Sequence, residues 1–300
     1  MEVIRMFDDA EGMVFRPPSE ANSFILRITI GCSYNRCTFC GMYKNVKFRV
    51  RPLPEVEALI DEVARHYPSL RRVFLADGNA LALPLEHLLT VMDKLKRSFP
   101  KLTRITSYGG PRDLLSKTPA ELAALKKAGL QIIYLGIESG DDEVLQAVNK
   151  GVSAQEMIVA GRRVMDAGIK LSAMVILGLG GQERTLQHAV NTGKVISAIS
   201  PTMLSTLTLM LHEGSEIRAA ADAGKFTPLS PYGYMSELKM LLQHTAVTSP
   251  CIFRSSHVSN LLPLAGNLPA DKDLLIADTN EVLEHLANKK KPMYNDIGNF

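Results

Sequence analysis

An α/β fold, a partial (β/α)6 TIM-like barrel followed by a C-terminal extension, is what this sequence predicts, and three observations predict it. Six short apolar runs are nearly continuous in hydrophobic residues rather than alternating, as parallel strands buried on both faces require. Longer amphipathic stretches lie between them, opened by proline and closed by glycine. The six units share residues 24–212, about 31 residues each, whereas a complete eight-unit barrel takes about 250. Repeated strand-helix order would also suit a doubly wound sheet.

In order, the strands are expected at residues 24–30, 72–76, 102–106, 131–137, 171–177 and 203–210. Pro54 opens PEVEALIDEVARHY and Pro84 opens PLEHLLTVMDKLKRSF. Thr118-Pro119 opens TPAELAALKKAG, which Gly129 stops. Residues 141–149, 153–167 and 182–199 continue the alternation. Beyond Gly214 the prolines at 228, 231, 250, 263 and 269 interrupt the pattern, and one last helix spans about residues 271–288. The expected organisation is an N-terminal segment (1–23), the barrel (24–212) and an extension covering it (213–300).

The chain has 300 residues, 46% hydrophobic and 22% charged, enough apolar material for a large core and too much for disorder. Its net charge of +3 gives no support to a nucleic-acid partner without forbidding one. The opening MEVIRMFDDAEGMVF carries Asp8, Asp9 and Glu11 where a secretory signal needs an apolar run. The longest apolar stretch, residues 171–181, is about half the roughly 20 residues of a membrane span. The expectation is a cytoplasmic protein without membrane association or a disulfide framework. Lys289–Lys291 is expected to be the solvated end of the last helix.

Three of the four cysteines fall in Cys32-SYNR-Cys37-TF-Cys40, directly after the first expected strand. That loop lies at the C-terminal mouth, where such barrels hold their active sites. Several readings are open. A structural zinc site takes four ligands, so His66, His87 or Cys251 would have to join. C-x4-C-x2-C with a distant cysteine is also the plant-type ferredoxin spacing, which makes a non-enzymatic iron-sulfur electron carrier with Cys251 as fourth ligand the rival function. A [4Fe-4S] cubane on three thiolates instead leaves one iron open to a small molecule.

The stretch GCSYNRCTFCGMYK resembles the signature of the radical S-adenosylmethionine (SAM) superfamily, with the aromatic Phe39 before the last cysteine and a first spacing of four residues instead of the usual three. Ala76-Asp77-Gly78-Asn79 is placed like the family's motif that meets the methionine amino group with backbone oxygens. Gly136-Ile137-Glu138-Ser139-Gly140 and the following DDEVLQAVNKG resemble the subgroup of anaerobic coproporphyrinogen oxidases and tRNA-modifying acetyl- and methylthio-transferases, as does MVILGLGGQE. The resemblance implies that Cys32, Cys37 and Cys40 ligate three irons and SAM chelates the fourth. It puts Phe39, Ile176 and Gly178 at the adenine, and Asp77, Gly78 and Asn79 at the ammonium. It puts Glu138 at the ribose, counts Ser139 beside it among the cofactor-binding residues, and puts Lys150, where relatives often carry arginine, at the carboxylate. It further implies an oxygen-sensitive enzyme whose cleavage of SAM yields a 5′-deoxyadenosyl radical, an organic substrate of unidentified class, and an electron donor such as flavodoxin or ferredoxin. Cys251 is a further candidate as hydrogen-atom donor or ligand of an auxiliary cluster, and His212 and His257 are candidates for contact with substrate, the last within the polar segment Arg254-SSHVSN-Leu261.

Overall fold

The computed structural model describes residues 13–288; the acidic start and Lys289–Lys291 lie outside the described residues. The chain runs β1 (Phe24–Arg27), β2 (Thr29–Ile30), β3 (Arg49–Val50), α1 (Leu53–His66), β4 (Arg72–Ala76), α2 (Leu85–Ser98), β5 (Arg104–Tyr108), α3 (Pro111–Ser116), α4 (Pro119–Lys127) and β6 (Leu130–Glu138). It continues through α5 (Asp142–Ala147), α6 (Ala154–Asp166), β7 (Lys170–Leu177), α7 (Gly181–Ile199), β8 (Met203–Thr208), α8 (Glu216–Asp222), α9 (Pro231–His244), β9 (Cys251–Ser255), β10 (Leu264–Leu268) and α10 (Lys272–Asn288). The eight-stranded sheet has the order β1-β4-β5-β6-β7-β8-β9-β10. It is parallel from β1 through β9, antiparallel at β10, and not closed: β1 and β10 are its edges.

All six expected strands are present; the second keeps its limits, the fourth and fifth differ by no more than one residue at either end, the sixth stops two residues early at Thr208, and the first and third change more. The first stops at Arg27, and Thr29–Ile30 then pairs antiparallel with Arg49–Val50. The third starts at Arg104 because Leu102 N–H turns back to the Phe99 carbonyl. The larger difference is in the extension, where the prolines bound elements instead of breaking them. Pro231 is the first residue of α9, behind the capping Ser230, where its missing N–H costs nothing. Pro250 and Pro263 flank β9 and β10, so the sheet has eight strands rather than six.

One core lies between the outer sheet face, with Val73, Leu75, Ile133, Leu171 and Val175, and the helices, with Ile60, Val63, Leu88, Met92, Val164 and Leu238. Thr118 and Ser153 each form a capping box, with Glu121 and Glu156 three residues on. The inner face carries Phe74, Ile132 and Tyr134, joined by Ile25, Tyr108, Met174 and Met203. The lower end is plugged by Glu20, fully buried, which accepts from Tyr134 Oη (2.6 Å) and pairs with Arg104 (3.1 Å). The upper mouth, at the C-terminal ends of the strands, is therefore the accessible end. The inner face also continues into solvent: Ile252, level with Met203, and Arg254, level with Ser205, are exposed. Among the described residues no helix is long and apolar enough to cross a membrane.

Candidate functional site

The cysteine loop, residues 31–48, leaves and re-enters the fold through the β2–β3 pair, so its two ends are clamped together at the mouth. The residues after β4 hold it from below. Asp77 Oδ2 accepts the Gly31 N–H (3.1 Å) and is held by Arg27 Nη2 (3.1 Å), both side chains being almost wholly buried. Thr29 Oγ1 accepts the Asp77 N–H, and the Gly31 carbonyl accepts the Gly78 N–H. Asn79 Oδ1 accepts from Ser33 N (2.9 Å), while its Nδ2 donates to Ser33 Oγ (2.6 Å) and Asp113 Oδ2 (2.8 Å). The side chains of Asp77 and Asn79 are thus struts of the loop, which leaves the expected contact with an ammonium to main-chain oxygens.

On its far side the loop is tied to α5 and α8. Thr38 N–H donates to the Val148 carbonyl, Ile217 N–H donates to the Thr38 carbonyl, and the Tyr34 hydroxyl donates to the Asn149 carbonyl (2.8 Å). Gly78 sits against the loop so closely that a Cβ there would lie 2.9 Å from both Cys32 Cβ and the Tyr43 ring. Gly78→Ala is therefore expected to displace Cys32 and Tyr43, costing about 1–3 kcal/mol. Iron binding in the reconstituted variant should fall well below wild type, and wild-type loading would contradict this packing.

Cys32, Cys37 and Cys40 are all partly buried on this loop. Burial pushes the Cys37 thiol up to about 11, against the opposing pull of Lys150, and raises Cys40 as well. Ligation by a thiophilic metal would take these protons off. Beside them, Lys150 Nζ lies 3.0 Å from Glu138 Oε1 and 5.9 Å from the Phe39 ring centre. Burial opposes the Lys150 charge, but Glu138 together with the Cys37 and Cys40 thiols outweighs it and holds the ammonium above the ordinary lysine range. Glu138 reaches this position from a left-handed backbone (φ 63°), strain of a kind found at functional sites. Gly136 leaves the room: a Cβ there would collide with the Glu138 carboxylate.

Phe39 and Ile176 pack into one apolar cluster with Val144, Val148, Leu179, Leu209 and Ile217. Gly178, at φ 80°, follows β7, and a Cβ on it would strike the Tyr234 ring. The fold thus gathers Phe39, Gly78, Glu138, Lys150 and Ile176 around the thiols. Ser139 departs from its expected place: its side chain is fully buried, with Oγ 2.8 Å from His188 Nδ1, so it faces the packing between β6 and α7 and not the mouth.

The remaining candidates separate. His212 is exposed at the mouth, and Gly41 approaches its Cβ so closely that a side chain there would stand 3.1 Å away. His257 lies in the β9–β10 loop, its Nδ1 2.7 Å from Ser259 Oγ, and burial lowers its pKa. Asn260 of that loop is occupied in pinning it to β8 through the Thr206 carbonyl (2.7 Å). Cys251 is misplaced for a fourth ligand. It precedes Ile252, which pairs with the first residue of β8, so it lies at the lower end of the sheet, opposite the mouth, and burial pushes its thiol up to about 12. Cys251→Ala is expected to leave iron content unchanged while costing on the order of 1 kcal/mol as a small buried hydrophobe. Loss of the cluster would restore the four-thiolate carrier.

Arg27 and Tyr43 escaped the sequence reading. Arg27 had a signal, a charge inside the apolar run FILRITI; Tyr43 had none. The Tyr43 side chain is almost fully buried beside Gly78, and its hydroxyl has no hydrogen-bond partner among the described residues. Burial, with Asp77, Tyr108 and the thiols around it, raises its pKa far above the ordinary tyrosine value. Three thiols on one loop are the soft donor set that a thiolate-held cluster takes. Among the described residues no three His, Cys, Asp or Glu side chains, the three thiols included, stand close enough together to hold a single metal ion.

Comparison with known proteins agrees with this geometry. The family model described as "Radical SAM superfamily" matches residues 26–192. The heme chaperone HemW of Bacillus subtilis is 23% identical over 173 residues, covering 54% of this chain and 45% of that protein. A tRNA-2-methylthio-N(6)-dimethylallyladenosine synthase of Dehalococcoides mccartyi is 28% identical over 180 residues, 56% of this chain and 41% of that protein. The chain thus matches less than half the length of both relatives. In fold it is similar to coproporphyrinogen III oxidase (HemN) of Escherichia coli, with a TM-score of 0.55 at 16% identity over 80% of this chain and 54% of that one. Methylornithine synthase (PylB) gives 0.53 at 16% identity over 85% and 68%.

Proposed function

The chain belongs to the radical SAM superfamily, an enzyme family that uses a [4Fe-4S] cluster and SAM and needs a reductant and a substrate, and from that premise we propose how its own residues serve the reaction. Cys32, Cys37 and Cys40 would hold three irons, leaving the fourth for the amino and carboxylate groups of SAM. When bound, cluster and SAM supply reductive cleavage of the sulfonium, giving methionine and a 5′-deoxyadenosyl radical that takes hydrogen from an organic substrate. The residues around the loop bind and orient. Phe39 and Ile176 offer an apolar wall for adenine, bounded by Gly178. Glu138, already at the thiols, offers a carboxylate to the ribose hydroxyls. Lys150 meets the SAM carboxylate as a point charge, without the planar fork of arginine.

The main-chain oxygens of 77–79 suit an ammonium, which carries donors and no acceptor. Substrate enters over the mouth, between His212 and the part of the chain after residue 212, and a flavodoxin- or ferredoxin-like protein delivers the electron. The observation that carries this reading is the placing of three thiols, on one braced loop, next to the Glu138–Lys150 pair and Phe39. A carrier with Cys251 as fourth ligand has no comparable support, because that thiol sits at the other end of the strands. The test is anaerobic reconstitution followed by paramagnetic resonance of the reduced protein. SAM should change the spectrum of a cluster with four irons and four sulfides. An unchanged spectrum at saturating SAM would overturn the open-iron assignment.

A further inference from the structure

α9, an element of the C-terminal part, buries Met235, Leu238, Leu241 and Leu242, and among them a carboxylate, Glu237, with no exposure. A buried carboxylate is costly unless donors surround it. Here its carboxylate accepts from the turn after β7 and from α7. Gly178 N donates to Oε1 (2.5 Å), and the Thr185 hydroxyl donates to Oε2 (2.6 Å). His188 Nε2 lies 3.5 Å from Oε1. Tyr234, one turn earlier on the same face of α9, fills the space a Cβ of residue 178 would need. One helix therefore grips Gly178 twice, by its N–H and by its missing side chain.

The grip extends to the neighbouring strand. His188 Nε2 lies 3.1 Å from the Ile176 carbonyl, and its Nδ1 lies 2.8 Å from Ser139 Oγ, which accepts the Asp141 N–H (3.0 Å). His188 thus stands between the Ile176 carbonyl, the Ser139 hydroxyl and the Glu237 carboxylate. Although serine, histidine and glutamate follow one another as in a hydrolase, all three are buried, with no access for a substrate. What the chain of bonds joins is the end of β6, where Glu138 stands, to the end of β7, where Ile176 and Gly178 stand.

We propose that Glu237 is a positioning residue: through Gly178, Thr185 and His188 it fixes the rim that receives the adenosine part of SAM, so that α9 sets SAM affinity without touching SAM. This rests on the functional reading above. The turn at Gly178 is held where its buried N–H finds an acceptor, and Glu237 is that acceptor.

The test measures SAM affinity of the anaerobically reconstituted full chain, together with iron content and the dependence of 5′-deoxyadenosine formation on SAM concentration. Glu237→Ala should keep wild-type iron, weaken SAM binding about tenfold, or about 1.4 kcal/mol, and raise KM for SAM with kcat nearly unchanged at saturation. Glu237→Gln, whose amide oxygen still accepts from Gly178, should restore most of the affinity. If Glu237→Ala does not fold, Thr185→Val, which removes one anchor without opening a cavity, should give a smaller rise in the same direction. Glu237→Ala or Thr185→Val with wild-type SAM affinity would overturn the proposal, as would a kcat loss without any change in KM. Failure of the wild-type protein to bind SAM would instead overturn the function on which the proposal rests.

Discussion

Alanine at any one of Cys32, Cys37 and Cys40 is expected to reduce SAM cleavage to background, with loss of the cluster's visible absorption and most of the bound iron. The three thiols stand on one loop without another cysteine at the mouth, since the fourth, Cys251, begins β9 at the opposite end of the sheet. No other described cysteine can therefore replace a missing ligand. The protein itself should stay folded, because all three side chains are partly exposed and outside the apolar core. Circular dichroism and thermal melting of the three variants would check this. A variant that retains both its cluster and its cleavage activity would remove that cysteine from the ligand set.

Asp77→Ala is expected to have the largest effect on stability. The carboxylate is fully buried against Arg27, and it accepts the Gly31 N–H at the start of the cysteine loop. Removing one partner of a buried ion pair leaves the other charge poorly compensated and typically costs about 3–5 kcal/mol, a large part of the stability of a single domain. Arg27→Ala should be comparably damaging, because it strands the carboxylate instead. The double variant Arg27→Met with Asp77→Ala should recover part of the loss, since replacing both charges removes the desolvation penalty. Denaturant unfolding of the four proteins measures this directly, and losses below about 1 kcal/mol in both single variants would contradict the assigned role.

The barrel was legible because its strands are buried on both faces, and continuous apolar runs such as QIIYLGI and LSAMVIL leave little choice of period. The extension was not. β9 buries Cys251, Phe253 and Ser255 and exposes Ile252 and Arg254, an alternation too polar to read as another barrel strand. Pro231 looked like a break and is a helix start. At the site, the spacing of the cysteines and the GIESG segment pointed to residues that the fold does bring together. Local pattern could not separate side chains that face the mouth from those that brace it. Ser139 follows Glu138 directly, but the two point to opposite sides, one to His188 and the other to Lys150. Arg27, Tyr43 and Glu237 act through residues 50 or more positions away or through packing, as in the Arg27–Asp77 and Glu237–Gly178 contacts, and no short motif records such pairings.

The central claim is that this loop of three thiols activates SAM. The measurement that tests it most directly is the release of 5′-deoxyadenosine and methionine from SAM by the dithionite-reduced, anaerobically reconstituted protein. The account predicts release that requires the reductant and disappears when Cys37 is replaced by alanine. A fully loaded cluster that releases neither product would contradict it.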